Sequence, residues 1–323
     1  MACERVFRCA LGAAATALLV AGLGLSPRAA DAEEDVPLPL TGRPTVHASP
    51  KRYVIDGKQV IPAGSAIRVE SGVRIVGINH ASLEIKGGLQ IHGIPGTRVQ
   101  ISGVDFSPTL APDSEVHFDE ADLSGCTFVH PEGAAFVGGL AMENVSFTGG
   151  TFAVRIRSGY LKLMSAKIYV ACTIDSVPGK GKAAEVSIRS SMLGTLRLSG
   201  DSSATVRDSE LGETMHAKNF TDLLVDACDL KNGITLEQDA EGTFSKLKLQ
   251  NCNLLGGSKV VLRRPVGPKT TPEKVRLMKF FFGRSDDKPD MTDKEIADRI
   301  DDGADDPQVS VKAIWPNPKD RAH

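Results

Sequence analysis

Val186-Ser187-Ile188-Arg189-Ser190-Ser191-Met192-Leu193 is followed, 18 residues on, by Ala204-Thr205-Val206-Arg207-Asp208-Ser209-Glu210-Leu211. After 19 more residues comes Leu223-Leu224-Val225-Asp226-Ala227-Cys228-Asp229-Leu230, and 24 beyond that Leu247-Lys248-Leu249-Gln250-Asn251-Cys252-Asn253-Leu254. All four read apolar, x, apolar, x, x, small, x, apolar. Working outward, the pattern recurs at Val99-Ile101-Val104-Phe106, Val116-Phe118-Ala121-Leu123, Leu140-Met142-Val145-Phe147 and Leu161-Leu163-Ala166-Ile168. Shorter marks at Ile67-Val69, Leu83-Ile85 and Val99-Ile101 start 16 residues apart, and Tyr53-Ile55 is a plausible first turn.

Each apolar pair separated by one residue is a strand with one inward face. The residues before the small position make a bend, with glycine or a small polar residue nearby at Gly103, Asn144, Ser165, Ser190 and Asn251. One such turn cannot bury its own inner face; stacked turns share a continuous core. The marks predict an all-β, right-handed parallel β-helix of about eleven turns over residues 51–264, starting at 16 residues per turn and lengthening to about 21. Leucine-rich repeats would need a helical segment and a fixed Asn, and neither is present.

The stretch Val60-Ile61-Pro62-Ala63-Gly64-Ser65-Ala66-Ile67-Arg68-Val69-Glu70-Ser71-Gly72-Val73-Arg74-Ile75 resembles the opening of secreted bacterial β-helix proteins. There a strand, a Pro-Ala-Gly turn, a second strand and a Gly-Val turn begin the solenoid. The resemblance to pectate-lyase-like right-handed β-helices spans Tyr53 to Arg264 and implies the fold only, because fold does not carry function.

The ends differ. Arg5 and Arg8 precede an apolar run from Cys9 to Leu25, and Ala30-Asp31-Ala32 fits a cleavage site, so residues 1–32 are expected to be a signal peptide. The mature chain would be exported, periplasmic or extracellular, with no membrane span. Residues 33–50 hold Pro37, Pro39, Pro44 and Pro50 and read as an extended leader. Residues 265–323 are expected to form an α-helical cap and an acidic tail. One helix would start at Thr271-Pro272-Glu273, show Val275, Leu277, Met278, Phe281 and Phe282 on one face, and stop at Gly283. A second would start at the capping box Thr292-Asp293-Lys294-Glu295 and run to about Asp302. The nearby aspartates do not have the spacing of a calcium loop, since Gly303 falls at the third position counted from Asp301.

Chemistry is sparse. A formal net charge of −2 gives no reason to expect nucleic acid. Polygalacturonases carry an Asn-Thr-Asp run, a paired Asp-Asp and a Gly-His-Gly, all missing from the solenoid. Asp119 and Glu143 share an outward column, and His117 is outward; no histidine pair has zinc spacing. No cofactor or metal is implied. The weak ligand-surface candidates are Arg155, Arg157, Lys162, Arg189 and Arg207, which could bind an acidic polysaccharide or another cell-envelope component. Cys228 and Cys252 fall in a uniformly small column with Val104, Ala121, Val145, Ala166, Ser191 and Ser209, so they read as free, buried thiols; a disulfide between in-register parallel strands would be strained. The functional expectation is an exported, non-catalytic structural or polysaccharide-binding protein. The alternatives are a divergent polysaccharide lyase or glycoside hydrolase, and a partner-binding protein that uses the C-terminal helices.

Overall fold

The computed structural model describes residues 35–49, 52–110, 113–130, 134–177, 184–200, 203–219, 222–237, 247–255, 258–263, 275–282, 294–295, 298–301 and 309–314. The expected signal peptide and its cleavage site lie outside them.

The described chain is a parallel β-solenoid with three sheets. The first includes Thr45–Val46, Ala66–Glu70, Gly88–His92, Glu115–Asp119, Phe136–Glu143, the second half of Thr151–Met164, Glu185–Arg189, Ser203–Arg207, Asp222–Asp226 and Leu247–Gln250. The second holds the short strands that follow the bend, such as Ala121–Ser124, Met192–Leu193, Glu210–Leu211, Asp229–Leu230 and Asn253–Leu254. The third includes Cys172–Ser176, Leu196–Gly200, Met215–Lys218, Ile234–Glu237 and Val260–Arg263. Inward residues of all three sheets form one apolar core. At its middle Phe106, Phe118, Phe128, Phe147 and Phe152 pack ring against ring, the closest pair being Phe106 and Phe128 at 4.9 Å between centroids.

Tyr53 reaches Leu254 through nine register steps, by way of Ile75, Ile101, Leu123, Phe147, Ile168, Leu193, Leu211 and Leu230. The rod therefore has nine turns over this span, not eleven, and runs roughly 43 Å at the usual strand spacing. The 16-residue opening steps are corrected for the same reason. Ile67 pairs with Leu89, Leu83 with Phe106 and Val99 with Ala121, so the three early marks lie on three different sides of the cross-section, the first, third and second sheets, and not on successive turns. From Val116 to Leu247 the expected steps coincide with the pairing.

From Glu120 onward the bend between the first and second sheets has one cause. Glu120, Asn144, Ser165, Ser190, Asp208, Ala227 and Asn251 all have φ near +50° and stack in one column. This left-handed conformation costs side-chain-bearing residues energy and suits Asn, Asp and Gly best. From Glu120 to Ala227 each N–H is nevertheless satisfied by the next turn, as in Asn144 N to Met164 O at 2.9 Å and Ser190 N to Arg207 O at 3.1 Å. The residue after the bend points inward where space is tight. That column holds Val99, Ala121, Val145, Ala166, Ser191, Ser209, Cys228 and Cys252, all buried. Val104 leaves it and stacks instead with Cys126. Ser191 and Ser209 bond backbone within the ladder, with Ser209 Oγ accepting from Ser191 N at 3.2 Å.

Two further expectations change. The Pro-rich leader is the first turn of the solenoid: Asp35–Pro37 pairs with residues 52–54, Thr45–Val46 pairs with residues 68–69, and Leu38 and Val46 join the core. Pro37 is tolerated there because, among the described residues, its strand is paired on one side only. At the other end Val275–Phe282 is a strand, not a helix; it pairs in parallel with Leu247–Gln250 and Asn253–Leu254, and with Val309–Ile314 beyond. A run rich in Val, Leu and Phe suits a sheet as well as a helix, and the open edge of the preceding turn supplies the backbone partners. The expected start at Thr271-Pro272-Glu273 lies outside the described residues. The second helix is also shorter than expected. Lys294 and Glu295 are helical and Asp298 N reaches Lys294 O at 2.9 Å, but Ile300–Asp301 is already a strand beside Val260–Val261.

Candidate functional site

Along the first sheet, the last outward position of each strand is held in turn by Glu70, His92, Asp119, Glu143, Met164, Arg189, Arg207, Asp226 and Gln250. Two segments of this face concentrate functional groups.

The first is basic. Arg189 and Arg207 are in register on adjacent turns, as the sequence columns predict. Lys162 lies on the preceding turn in the neighbouring outward column, paired with Ser187. Its ammonium sits 4.6 Å from the centroid of the Tyr160 ring, a cation–π contact. Arg189 and Arg207 face Asp208 and Asp226 at 3.5 and 3.8 Å, with side chains 63% and 47% exposed. These long, wet pairs are worth little and exchange easily. The other two candidates lie apart. Arg155 points out from the third sheet and holds Asp175 at 2.9 Å. Arg157 is skipped by the register where the strand passes from the third sheet to the first, a bulge that turns it outward.

The second segment mixes histidines and acids. His92 and His117 meet edge to face at 5.8 Å between centroids. His117 Nε2 lies 3.8 Å from Glu143 Oε1, is buried, and has no hydrogen-bond partner among the described residues. His92 binds its proton less readily than a free imidazole because it is desolvated, with Arg68 and His117 adding to the effect. One column over, Tyr160 donates to Glu115 Oε1 at 2.6 Å across two turns. It can span that distance because the intervening residue is glycine: a Cβ on Gly139 would lie 2.5 Å from the ring. Burial and the Glu115 carboxylate push the Tyr160 phenol up to about 12, so it stays protonated. No group of three or more His, Cys, Asp or Glu stands close enough to hold a metal ion among the described residues.

Sequence columns brought Asp119 next to Glu143, and the structure places them so. They missed Tyr160, Glu115 and His92. The available signal was Gly139-Leu140-Ala141, where two successive outward positions are too small to cover their own turn.

The four described cysteines are free and buried. Burial raises the Cys126, Cys172 and Cys252 thiols, so none of these three is poised as a nucleophile.

No protein-family model matches the chain, and neither a curated protein nor a solved structure does.

Proposed function

We propose that this chain is an exported, non-catalytic β-solenoid of pectate-lyase-like type that binds an extended acidic polysaccharide of the cell envelope along its first sheet. The observation that carries the reading is the in-register pair Arg189 and Arg207, with Lys162 and Tyr160 on the turn before. Turns repeat every ~4.8 Å, so the cations form a linear array against which a regular polyanion can lie. Guanidinium groups suit carboxylates, and the weak Asp208 and Asp226 contacts can be replaced by a ligand carboxylate. Tyr160 adds an aromatic edge beside Lys162. Export rests on the sequence of residues 1–32 alone.

The test is a glycan array of the mature chain, with polygalacturonate as the first acidic polymer, and a parallel assay for new reducing or unsaturated ends. Binding that weakens with salt and falls at least tenfold in Arg189→Ala/Arg207→Ala supports the reading. Unchanged binding in that variant overturns it.

A second reading, a divergent lyase or hydrolase, is favoured by the pairing of Asp119, Glu143 and His117 with the protonated Tyr160 nearby. New chain ends released by the wild type, and not by Glu143→Gln, would decide for it. The partner-binding alternative has lost its first helix, since Val275–Phe282 is a strand.

A further inference from the structure

We infer that a concavity between the second and third sheets, on a different side of the solenoid from the first-sheet Arg189–Arg207 strip, binds the oxyanion group of a small ligand, a phosphate or a carboxylate. It lies where Lys231-Asn232 turns into Ile234–Glu237 and where Ser258-Lys259 does the same one turn later. Its volume is about 420 Å3, within the usual range for small-molecule sites. Ile234 and Val261 give it an apolar floor, and Lys231, Asn232, Thr235 and Lys259 supply donors.

The backbone explains why a hollow forms at this place. Gly233 has φ +87°, and a Cβ on it would lie 2.3 Å from Lys259 O, so the two turns touch there without a side chain between them. Lys259 O then accepts from Ile234 N at 2.9 Å, which fixes the Lys259 backbone against the earlier turn. The donors differ in what already occupies them. Lys231 is engaged by Glu210, which holds its ammonium charged. Asn232 donates one amide proton to Gly212 O at 3.2 Å and keeps the second. Lys259 has no ion pair among the described residues. The acids around it are Glu210, already paired with Lys231, Asp229, which accepts from Asn253 and also acts on Lys231, and Asp301, in register with Val261. A charged ammonium without a counter-ion beside hydroxyl and amide donors over an apolar floor is the donor set for a carboxylate or phosphate carried on a hydroxylated carbon skeleton.

Calorimetric titration of the mature chain with inorganic phosphate, and separately with galacturonate, at ionic strength fixed by chloride, tests this. One saturable site for either probe, weakened at least tenfold by Lys259→Met and unchanged by Arg189→Ala/Arg207→Ala, is the expected result. Saturation by phosphate alone assigns a phosphate-bearing ligand; saturation by galacturonate alone assigns a uronic acid. Lys259→Gln and Thr235→Val, checked for an unaltered circular dichroism spectrum, guard against misfolding. Absence of a saturable site for both probes, or equal affinity in all three of these pocket variants, overturns the inference. Failure of the Arg189–Arg207 strip to bind polysaccharide leaves it standing.

Discussion

Replacing His130 by Phe should flatten the acid sensitivity of the middle turns. His130 stacks on Phe136 with centroids 5.7 Å apart and rings 23° from parallel. Both ring nitrogens are buried without a partner among the described residues. Burial, with Arg155 adding to it, drives the imidazole down to about 4 from its ordinary 6.5. The folded chain therefore resists a proton that the unfolded chain accepts, so this stability is present in full above pH 6.5 and is lost as pH falls toward 4. At ~1.4 kcal/mol per pKa unit the loss is about 2 kcal/mol by pH 5 and about 3 kcal/mol by pH 4. Phe keeps the ring stack and removes two unpaired nitrogens, which also favours the variant at pH 8 by about 1 kcal/mol. In a stacked solenoid stability is local, so the readout is native-state hydrogen exchange of Thr127–Phe128 and Phe136–Glu143 amides, corrected for intrinsic rates, from pH 8 to pH 5. Taking the difference between the two proteins cancels the carboxylates they share. Parallel pH profiles for wild type and variant would refute the reasoning.

Other outcomes follow from single features. Ala227 is the one bend residue with neither a polar side chain nor glycine's freedom, at φ +52°; Ala227→Gly should raise the thermal midpoint, by an amount equivalent to about 1 kcal/mol, and a lowered midpoint would contradict the strain argument. Gly139→Ala should force the Tyr160 ring off Glu115, so spectrophotometric titration should move that phenol from about 12 back toward the ordinary 10; an unchanged titration would show the ring is not held by the glycine. Thiol reagent should count four cysteines in denatured, unreduced mature protein and none in the native fold; fewer than four on denaturation means a disulfide.

The sequence revealed the inward columns because burial there admits few residue types. From Val116 onward the small position after the bend anchored the register, and the column of Ala166, Ser191, Ser209, Cys228 and Cys252 came out in the right order. The turn count was misread where the anchor was missing. Ile67-Val69, Leu83-Ile85 and Val99-Ile101 are alike because every strand of all three sheets alternates in the same way, and alternation alone does not say which side of the rod a strand belongs to. Val275–Phe282 was misread because its helical spacing and its sheet propensity coexist, and the open edge of the preceding turn decided between them. The Tyr160–Glu115 contact was hidden by distance: its residues are 45 apart in sequence, and the turn between them contributes only an absent side chain.

The column of left-handed bends also governs how this chain can change length. From Asp119 onward the spacing from first to second sheet at that corner is constant: Arg189 to Ser191, Arg207 to Ser209 and Asp226 to Cys228 each enclose a single bend residue, whereas six residues separate His92 from Val99 in an earlier turn. From third sheet back to first it varies widely, from no break at all within Thr151–Met164 to nine residues between Glu237 and Leu247. Insertions and deletions collect at the permissive corner and leave the inward columns undisturbed. The rod is in effect a ruler graduated in steps of ~4.8 Å. A lineage could lengthen or shorten it by whole graduations, duplicating or deleting a segment such as residues 204–222, while the face that meets a long polymer keeps its pitch.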